Sequence, residues 1–143
     1  MISMMNTKAR YTVIASAQRT NNTPAANIVN HIDAGFQLAA MGFTKSYDVQ
    51  GFYREAHNAQ ASIELSRAIA VSSLDEVSQL ATLFCGGYAQ ECILAINNKT
   101  KDVFLIDVNG LICAKLGKWK AHAAKVESWD AYTYDGMHYY TAE

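Results

Sequence analysis

Length, composition and charge already exclude several classes of protein. Of the 143 residues, 50% are hydrophobic and 17% are charged, which is unlike a disordered or collagen-like chain. The 12 Lys and Arg residues nearly balance the 13 Asp and Glu residues, so no broad cationic face for nonspecific nucleic-acid binding is expected. We expect one domain over residues 10–143, preceded by a mobile segment over residues 1–9.

The cysteines and the N-terminus predict a cellular compartment. Cys85, Cys92 and Cys113 are odd in number and form no Cys-x-x-Cys pair, which favours a reducing, cytoplasmic setting without a zinc or redox site. The N-terminus lacks the charged segment and apolar run of a secretory signal, and no apolar stretch is long enough to span a membrane. We therefore expect a cytoplasmic protein with no membrane partner.

A first strand and a first helix are predicted near the N-terminus. Apolar and polar residues alternate from Tyr11 to Gln18, which is typical of a strand. Thr23 followed by Pro24 is typical of an N-cap with proline at the first helical position, and it predicts a helix over residues 24–41. Apolar residues recur at helical spacing and predict its buried face: Ile28, Ile32, Phe36, Ala39 and Phe43.

Two strands are predicted over residues 45–56 and 61–71, joined by a hairpin at residues 57–60. A hairpin centred between residues 58 and 59 would set Tyr53 directly opposite Glu64 on one face of the sheet. The same register places three polar residues on the core face and therefore favours a β-bulge. These polar residues are Asp48, Gln50 and Arg67.

The second half of the chain predicts another helix and further strands. Ser73 and Glu76 form a capping box at the start of an amphipathic helix that ends near Gly86. A strand is predicted over residues 91–97, followed by hairpins that turn at Asn109–Gly110 and Asp135–Gly136. The tail from Leu116 gives no signal of its role.

The element order strand, helix, strand, strand, helix, strand predicts an α+β fold of the ferredoxin-like type. In that fold two helices cover one face of an antiparallel sheet, and here an extra C-terminal hairpin follows. The other sheet face would be open. Because an open face needs a cover, we expect a homo-oligomer.

The sequence contains no pattern typical of a metal site. His31, His57, His122 and His138 are scattered, without a neighbouring Asp or Cys at ligand spacing. The lysines around Trp119 are more typical of a solvated segment than of a nucleic-acid patch. We therefore expect neither a metal ion nor a nucleic-acid partner.

Glu64 is the most informative single residue. It lies within a predicted strand between Ser62 and Ser66, at a position that an oligomer interface would bury. A buried carboxylate needs a partner. Periodicity alone leaves two interpretations open, an interface contact such as a hydrogen bond to Tyr53, or an active-site carboxylate.

Several segments, taken in their order and spacing, are similar to one family. These are Ser16–Asn21, Gly51–Ala56 with Glu64 eleven residues after Tyr53, and Glu91–Leu94. Together they resemble the phage-encoded S-adenosylmethionine lyases, formerly called S-adenosylmethionine hydrolases. The resemblance covers patches of the chain over residues 10–115 and fades beyond them.

The resemblance implies a homotrimer of ferredoxin-like subunits with active sites between the subunits. It implies cleavage of S-adenosylmethionine to 5'-methylthioadenosine and L-homoserine lactone, without a cofactor. By position, Tyr53 and Glu64 match the family's active-site tyrosine and glutamate. We expect the Tyr53 hydroxyl to orient Glu64, whose charge helps to bind the cationic substrate, while Ser16 and Arg19 hold the substrate. The implied biological effect is a lower cellular level of S-adenosylmethionine, which inhibits host restriction.

Two other functions are compatible with the same residues. In a true hydrolase that gives homoserine, Glu64 would act as a general base on water. In a trimeric sensor that binds an adenine nucleotide without chemistry, Tyr53 and Glu64 would be binding residues only.

Overall fold

The computed structural model describes residues 8–54 and 61–143. Its elements in chain order are β1 (Tyr11–Ala15), α1 (Pro24–Ala40), β2 (Ser46–Tyr53), β3 (Ser62–Val71), α2 (Leu74–Ala81), the π-helical turn Thr82–Gly87, β4 (Ile93–Asn97), β5 (Asp102–Ile106), β6 (Ile112–His122), β7 (Ala131–Tyr134) and β8 (Tyr139–Ala142). The predicted turn at residues 57–60, and most of the predicted segment 1–9, lie outside the described residues. Neither described α-helix is long and apolar enough to cross a membrane.

All these strands belong to one antiparallel sheet that closes into a barrel, in the order β1-β3-β2-β7-β8-β6-β5-β4. The predicted order of the first six elements is confirmed. The expectation of an open ferredoxin-like sheet with an uncovered face is wrong, because β5 to β8 continue the sheet from β4 round to β2. The predicted C-terminal hairpin, β7 and β8, is thus part of the barrel wall.

Two hydrophobic clusters lie on opposite faces of this sheet. Neighbouring residues of a strand point to opposite faces, and accordingly Val13 packs with buried residues of both helices whereas Ile14 packs with Val49 and Ala68. The helices therefore cover the outside of the barrel, and the second cluster lies in its interior. Trp119 and Tyr140 belong to the interior cluster and stack with ring centroids 5.5 Å apart.

Helix α1 begins as predicted but packs on a different face. The Thr23 hydroxyl accepts a hydrogen bond from the Ala26 N–H at 3.1 Å, as an N-cap does. The prediction of the buried face is wrong for Ile28, Ile32, Phe36 and Ala39, which are exposed, whereas Phe43, just beyond the helix, is buried as predicted. The side chains that the helix buries are His31, Ala34 and Leu38.

A polar cluster under α1 explains this difference. Asp48 and Arg67 lie opposite each other on β2 and β3, and their side chains lie on the helix side of the sheet. His31 Nε2 lies 3.0 Å from Asp48 Oδ1, and Arg67 donates to the His31 carbonyl at 2.7 Å. The expected β-bulge is therefore absent between the described residues of β2 and β3, whose register is continuous. Partners accommodate Asp48 and Arg67 at this interface without a bulge, and Gln50 is exposed.

Candidate active site

A cavity of about 900 Å³ opens at one end of the barrel. Its walls come from the C-terminal ends of β1 and β2 and the N-terminal ends of β3, β4 and β7. The buried rings of Trp119 and Tyr140 also line it. A second cavity of about 320 Å³ adjoins it, and Glu64 lines both.

Strand β3 directs Glu64 into this cavity. Glu64 is four residues before Ala68, which packs inside the barrel, so strand alternation places the Glu64 side chain on the same face. The residue opposite Glu64 on β2 is Gly51, which has no side chain to cover the carboxylate. The pairing of β2 with β3 therefore leaves open space beside the Glu64 carboxylate.

The Glu64 carboxylate is half-buried, and burial raises its pKa above the ordinary value. Within residues 8–54 and 61–143, no side chain or backbone N–H donates a hydrogen bond to it. A carboxylate in this position can meet a ligand that carries a positive charge.

Tyr53 lies near Glu64, but not directly opposite it. The register pairs Tyr53 with Ser62 and Gly51 with Glu64, so the predicted pairing is wrong by two residues along the strand. A shift of two keeps both side chains on the same face, and both line the larger cavity. The Tyr53 side chain is 56% exposed, and in the described part of the protein no hydrogen bond joins it to Glu64.

Ser16 and Arg19 lie in the segment between β1 and α1. Ser16 lines the larger cavity and is buried, whereas the exposed Arg19 lines the smaller one. Asn27 of α1 holds the Arg19 backbone by accepting from its N–H at 2.9 Å and donating to its carbonyl at 2.8 Å. The four predicted site residues therefore lie around two adjoining cavities.

The structure adds Gln90 and Glu91, which line both cavities and to which we assigned no role from the sequence. They follow the π-helical turn and Ala89, a residue whose φ of 57° is in the left-handed region. This turn directs the segment back to the barrel end, and π-helical turns are frequent at functional sites. The sequence signal that pointed to this segment is the similarity of Glu91–Leu94 to the family described above.

The charges around the smaller cavity favour a ligand with cationic character. Glu64 and Glu91 supply two carboxylates, and Arg19 supplies one guanidinium group. A ligand with positive groups and a single carboxylate would match this arrangement. Among the described residues, no group of three or more His, Cys, Asp or Glu side chains is placed to hold a metal ion.

Comparison with protein families gives one result that bears on this site. A family model described as the S-adenosylmethionine lyase family matches residues 13–143, which is nearly the whole chain and includes every residue of the site described above. A comparison with curated proteins finds no match.

Proposed function

Since the chain belongs to the S-adenosylmethionine lyase family, we propose that it converts S-adenosylmethionine to 5'-methylthioadenosine and L-homoserine lactone. In this reaction the substrate's own carboxylate oxygen forms a bond to the γ-carbon, and the bond from that carbon to sulfur breaks. The electron pair goes to the sulfonium sulfur, which becomes a neutral thioether. Neither water nor a proton is consumed.

The half-buried Glu64 carboxylate, without a donor among the described residues, is the observation that carries this proposal. S-adenosylmethionine has two cationic centres, the sulfonium and the ammonium group, and one carboxylate. We assign Glu64 to the cationic part of the substrate, with Glu91 on the same wall. Electrostatic attraction in a partly desolvated site is stronger than in water.

The remaining predicted residues receive complementary roles in this proposal. Arg19 pairs with the substrate carboxylate in the smaller cavity, and the Tyr53 hydroxyl turns toward Glu64 when substrate fills the larger one. Ser16 keeps one lone pair of its hydroxyl free for a donor of the substrate, because its other groups bind Leu65 and Gln18. The adenosine part then occupies the larger cavity.

Positioning supplies most of the rate enhancement in this mechanism. The sulfonium is a good leaving group, and the nucleophile is part of the same molecule. Holding the carboxylate in line with the carbon–sulfur bond draws on the proximity effect, which is worth up to about 7–11 kcal/mol in ideal cases. A general base has no proton to remove.

A hydrolase that gives homoserine is the second candidate, and the raised pKa of Glu64 favours it. A carboxylate with a raised pKa is a better general base near neutral pH. In this reaction Glu64 would remove a proton from water, and the water oxygen would attack the γ-carbon. The products would be homoserine and 5'-methylthioadenosine.

We further propose that the protein is a homotrimer in which a neighbouring subunit covers the cavity opening. Two exposed apolar side chains that line this cavity support the proposal, Tyr53 and Leu116. Its biological effect in a phage-infected cell would be to lower S-adenosylmethionine and to inhibit methyl-dependent restriction.

Oxygen-18 water separates the two reactions. Mass spectrometry of early time points should show unlabelled homoserine lactone, and the homoserine that forms later by lactone opening should carry the label in its carboxyl group. Early homoserine labelled in its hydroxyl group would instead establish attack by water and overturn the lyase proposal.

The same assay tests the role of Glu64. We expect Glu64→Gln to lower kcat/KM by about 100-fold, because it removes a preorganised charge. Glu127→Gln is the matched control, since the Glu127 side chain is 90% exposed and lines neither cavity. Full activity of a folded Glu64→Gln variant would refute the assigned role.

A further inference from the structure

Leu65, the residue next to Glu64, lies where β3 loses its neighbour β1. The β1–β3 ladder runs from the pair Tyr11 and Val71 to the pair Ala15 and Arg67 and then ends. In a continued ladder the next hydrogen-bonded pair would join residue 17 to Leu65. The backbone of Leu65 would therefore face an empty edge on this side.

Two side chains take the place of the missing strand. The Ser16 hydroxyl donates to the Leu65 carbonyl at 3.0 Å, and the Leu65 N–H donates to Gln18 Oε1 at 2.9 Å. The Gln18 N–H donates in turn to the Ser16 hydroxyl oxygen at 3.0 Å. We call this arrangement of Ser16, Gln18 and Leu65 the side-chain splice.

The splice is anchored on both sides. Gln18 Nε2 lies 3.5 Å from the Asn27 carbonyl of α1, and the Gln18 carbonyl accepts from Gln90 Nε2 at 2.9 Å. Gln18 is thus held to the first helix, to β3 and to the segment after the π-helical turn.

The side-chain splice holds β3 without bringing the β1 backbone close to it, which a backbone pairing could not do. Side-chain bonds hold the main chain of β3 while keeping the β1 main chain at a distance, and the smaller cavity lies in this region, with Gln18 and Glu64 among its lining residues. The Glu64 side chain points to the face opposite that of Leu65 and remains free to meet a ligand.

We propose that Gln18 is a positioning residue that fixes the β3 backbone at Leu65 and thereby sets the direction of the Glu64 carboxylate. This inference rests on the proposed role of Glu64. It assigns to Gln18 an effect on the reaction that is transmitted through Glu64, without a bond to the reacting atoms.

The test uses Gln18→Met, which keeps the length of the side chain but removes the acceptor for the Leu65 N–H. Gln50→Met is the matched control, because Gln50 is exposed and lies opposite Leu65 on the other neighbouring strand. Hydrogen exchange measured by NMR should show the Leu65 amide exchanging about 10-fold faster in Gln18→Met, as expected for the loss of one hydrogen bond. It should be unchanged in Gln50→Met. Unchanged exchange in Gln18→Met would overturn the proposal.

A double-mutant cycle then tests the link to Glu64. Gln18→Met should lower the single-turnover rate about 10-fold in the wild-type background and should have almost no further effect in Glu64→Gln. If the two substitutions lower the single-turnover rate by factors that multiply in the double variant, Gln18 acts independently of Glu64 and the inference is overturned. A fully active Glu64→Gln variant would instead refute the proposed role of Glu64 itself, so the two failures are distinguishable.

Conservative replacements keep the test informative. Gln18→Glu retains an acceptor for the Leu65 N–H and should preserve the slow exchange of that amide. If Gln18→Met does not fold, Gln18→Asn replaces it, because its side chain is one methylene too short to reach Leu65. Gln18→Asn is expected to give the same fast exchange and the same cycle, and normal values for both would overturn the proposal.

Discussion

The charge of Glu64 should make the activity depend on pH. Burial raises the pKa of Glu64, so the carboxylate becomes protonated at a higher pH than an exposed glutamate. Because the ionised form attracts the cationic substrate, kcat/KM should fall as pH is lowered through this raised pKa. The acid limb of kcat should lie at a lower pH than that of kcat/KM, since a bound cation favours the ionised carboxylate. Steady-state kinetics across the acidic range measure both limbs.

The variants described above provide the controls for this pH profile. Glu64→Gln should lack the acid limb, because an amide does not titrate, whereas Glu127→Gln should keep it. A wild-type limb at or below the pKa of an ordinary exposed glutamate would contradict the prediction.

Tyr53 should affect the reaction more than the stability. Its side chain is 56% exposed, and its hydroxyl has no hydrogen-bond partner among the described residues, so Tyr53→Phe should leave the free energy of unfolding unchanged. If the hydroxyl meets Glu64 in the substrate complex, kcat should fall about 10-fold. Kinetics and thermal denaturation measure the two effects, with Tyr11→Phe, remote from the cavities, as the control. Equal kcat for Tyr53→Phe and wild type would argue against this contact.

At the level of elements, the turn between β5 and β6 is fixed against α2. Gly110 has a φ of 76°, and a Cβ atom there would lie 2.3 Å from the Ser78 hydroxyl oxygen. Gly110→Ala should therefore lower the free energy of unfolding by about 1–3 kcal/mol through backbone strain, with the clash in addition. Urea denaturation measures this change.

Two further variants separate strain from clash at this turn. Gly42 has a φ of 89° with no atom near its Cβ position, so Gly42→Ala should show the strain alone. Ser78→Ala should recover part of the stability of Gly110→Ala, because it removes the nearest atom. Equal losses for Gly42→Ala and Gly110→Ala, with no recovery, would show that the contact with α2 is unimportant.

Features of the fold that depend on a few adjacent residues were predicted correctly from the sequence. The N-cap at Thr23 and the turns at Asn109–Gly110 and Asp135–Gly136 are confirmed, because each depends on a few adjacent residues. The buried face of α1 was not predictable in this way. His31 is buried because Asp48 and Arg67, distant in sequence, supply its partners.

Part of the site was also within reach of sequence reasoning. Strand alternation placed Tyr53 and Glu64 on one face, and the error of two residues in the register preserved that result. The inner lining from Trp119 and Tyr140 was out of reach, since it depends on the closure of the barrel by pairings such as β2 with β7. Local periodicity does not specify which distant strands pair.

At the level of the whole molecule, closure of the barrel changes the role of the C-terminal residues. Those from Leu116 onward form most of β6 and all of β7 and β8, and several of them line the larger cavity. The lysines in this region face acidic partners: Lys118 Nζ lies 2.8 Å from Asp102 Oδ1. The segment therefore contributes to the wall of the site, and its charge is locally balanced.

A charged residue at the cavity opening should test whether a second subunit covers it. Leu116 is 39% exposed and lines the larger cavity, so Leu116→Glu should weaken association and lower activity together if the opening lies in the interface. Leu74 is 64% exposed but lies at the start of α2, outside both cavities. Leu74→Glu should leave association and activity unchanged. Sedimentation velocity and activity at matched protein concentrations measure both, and a fully active Leu116→Glu monomer would show that one subunit contains the complete site.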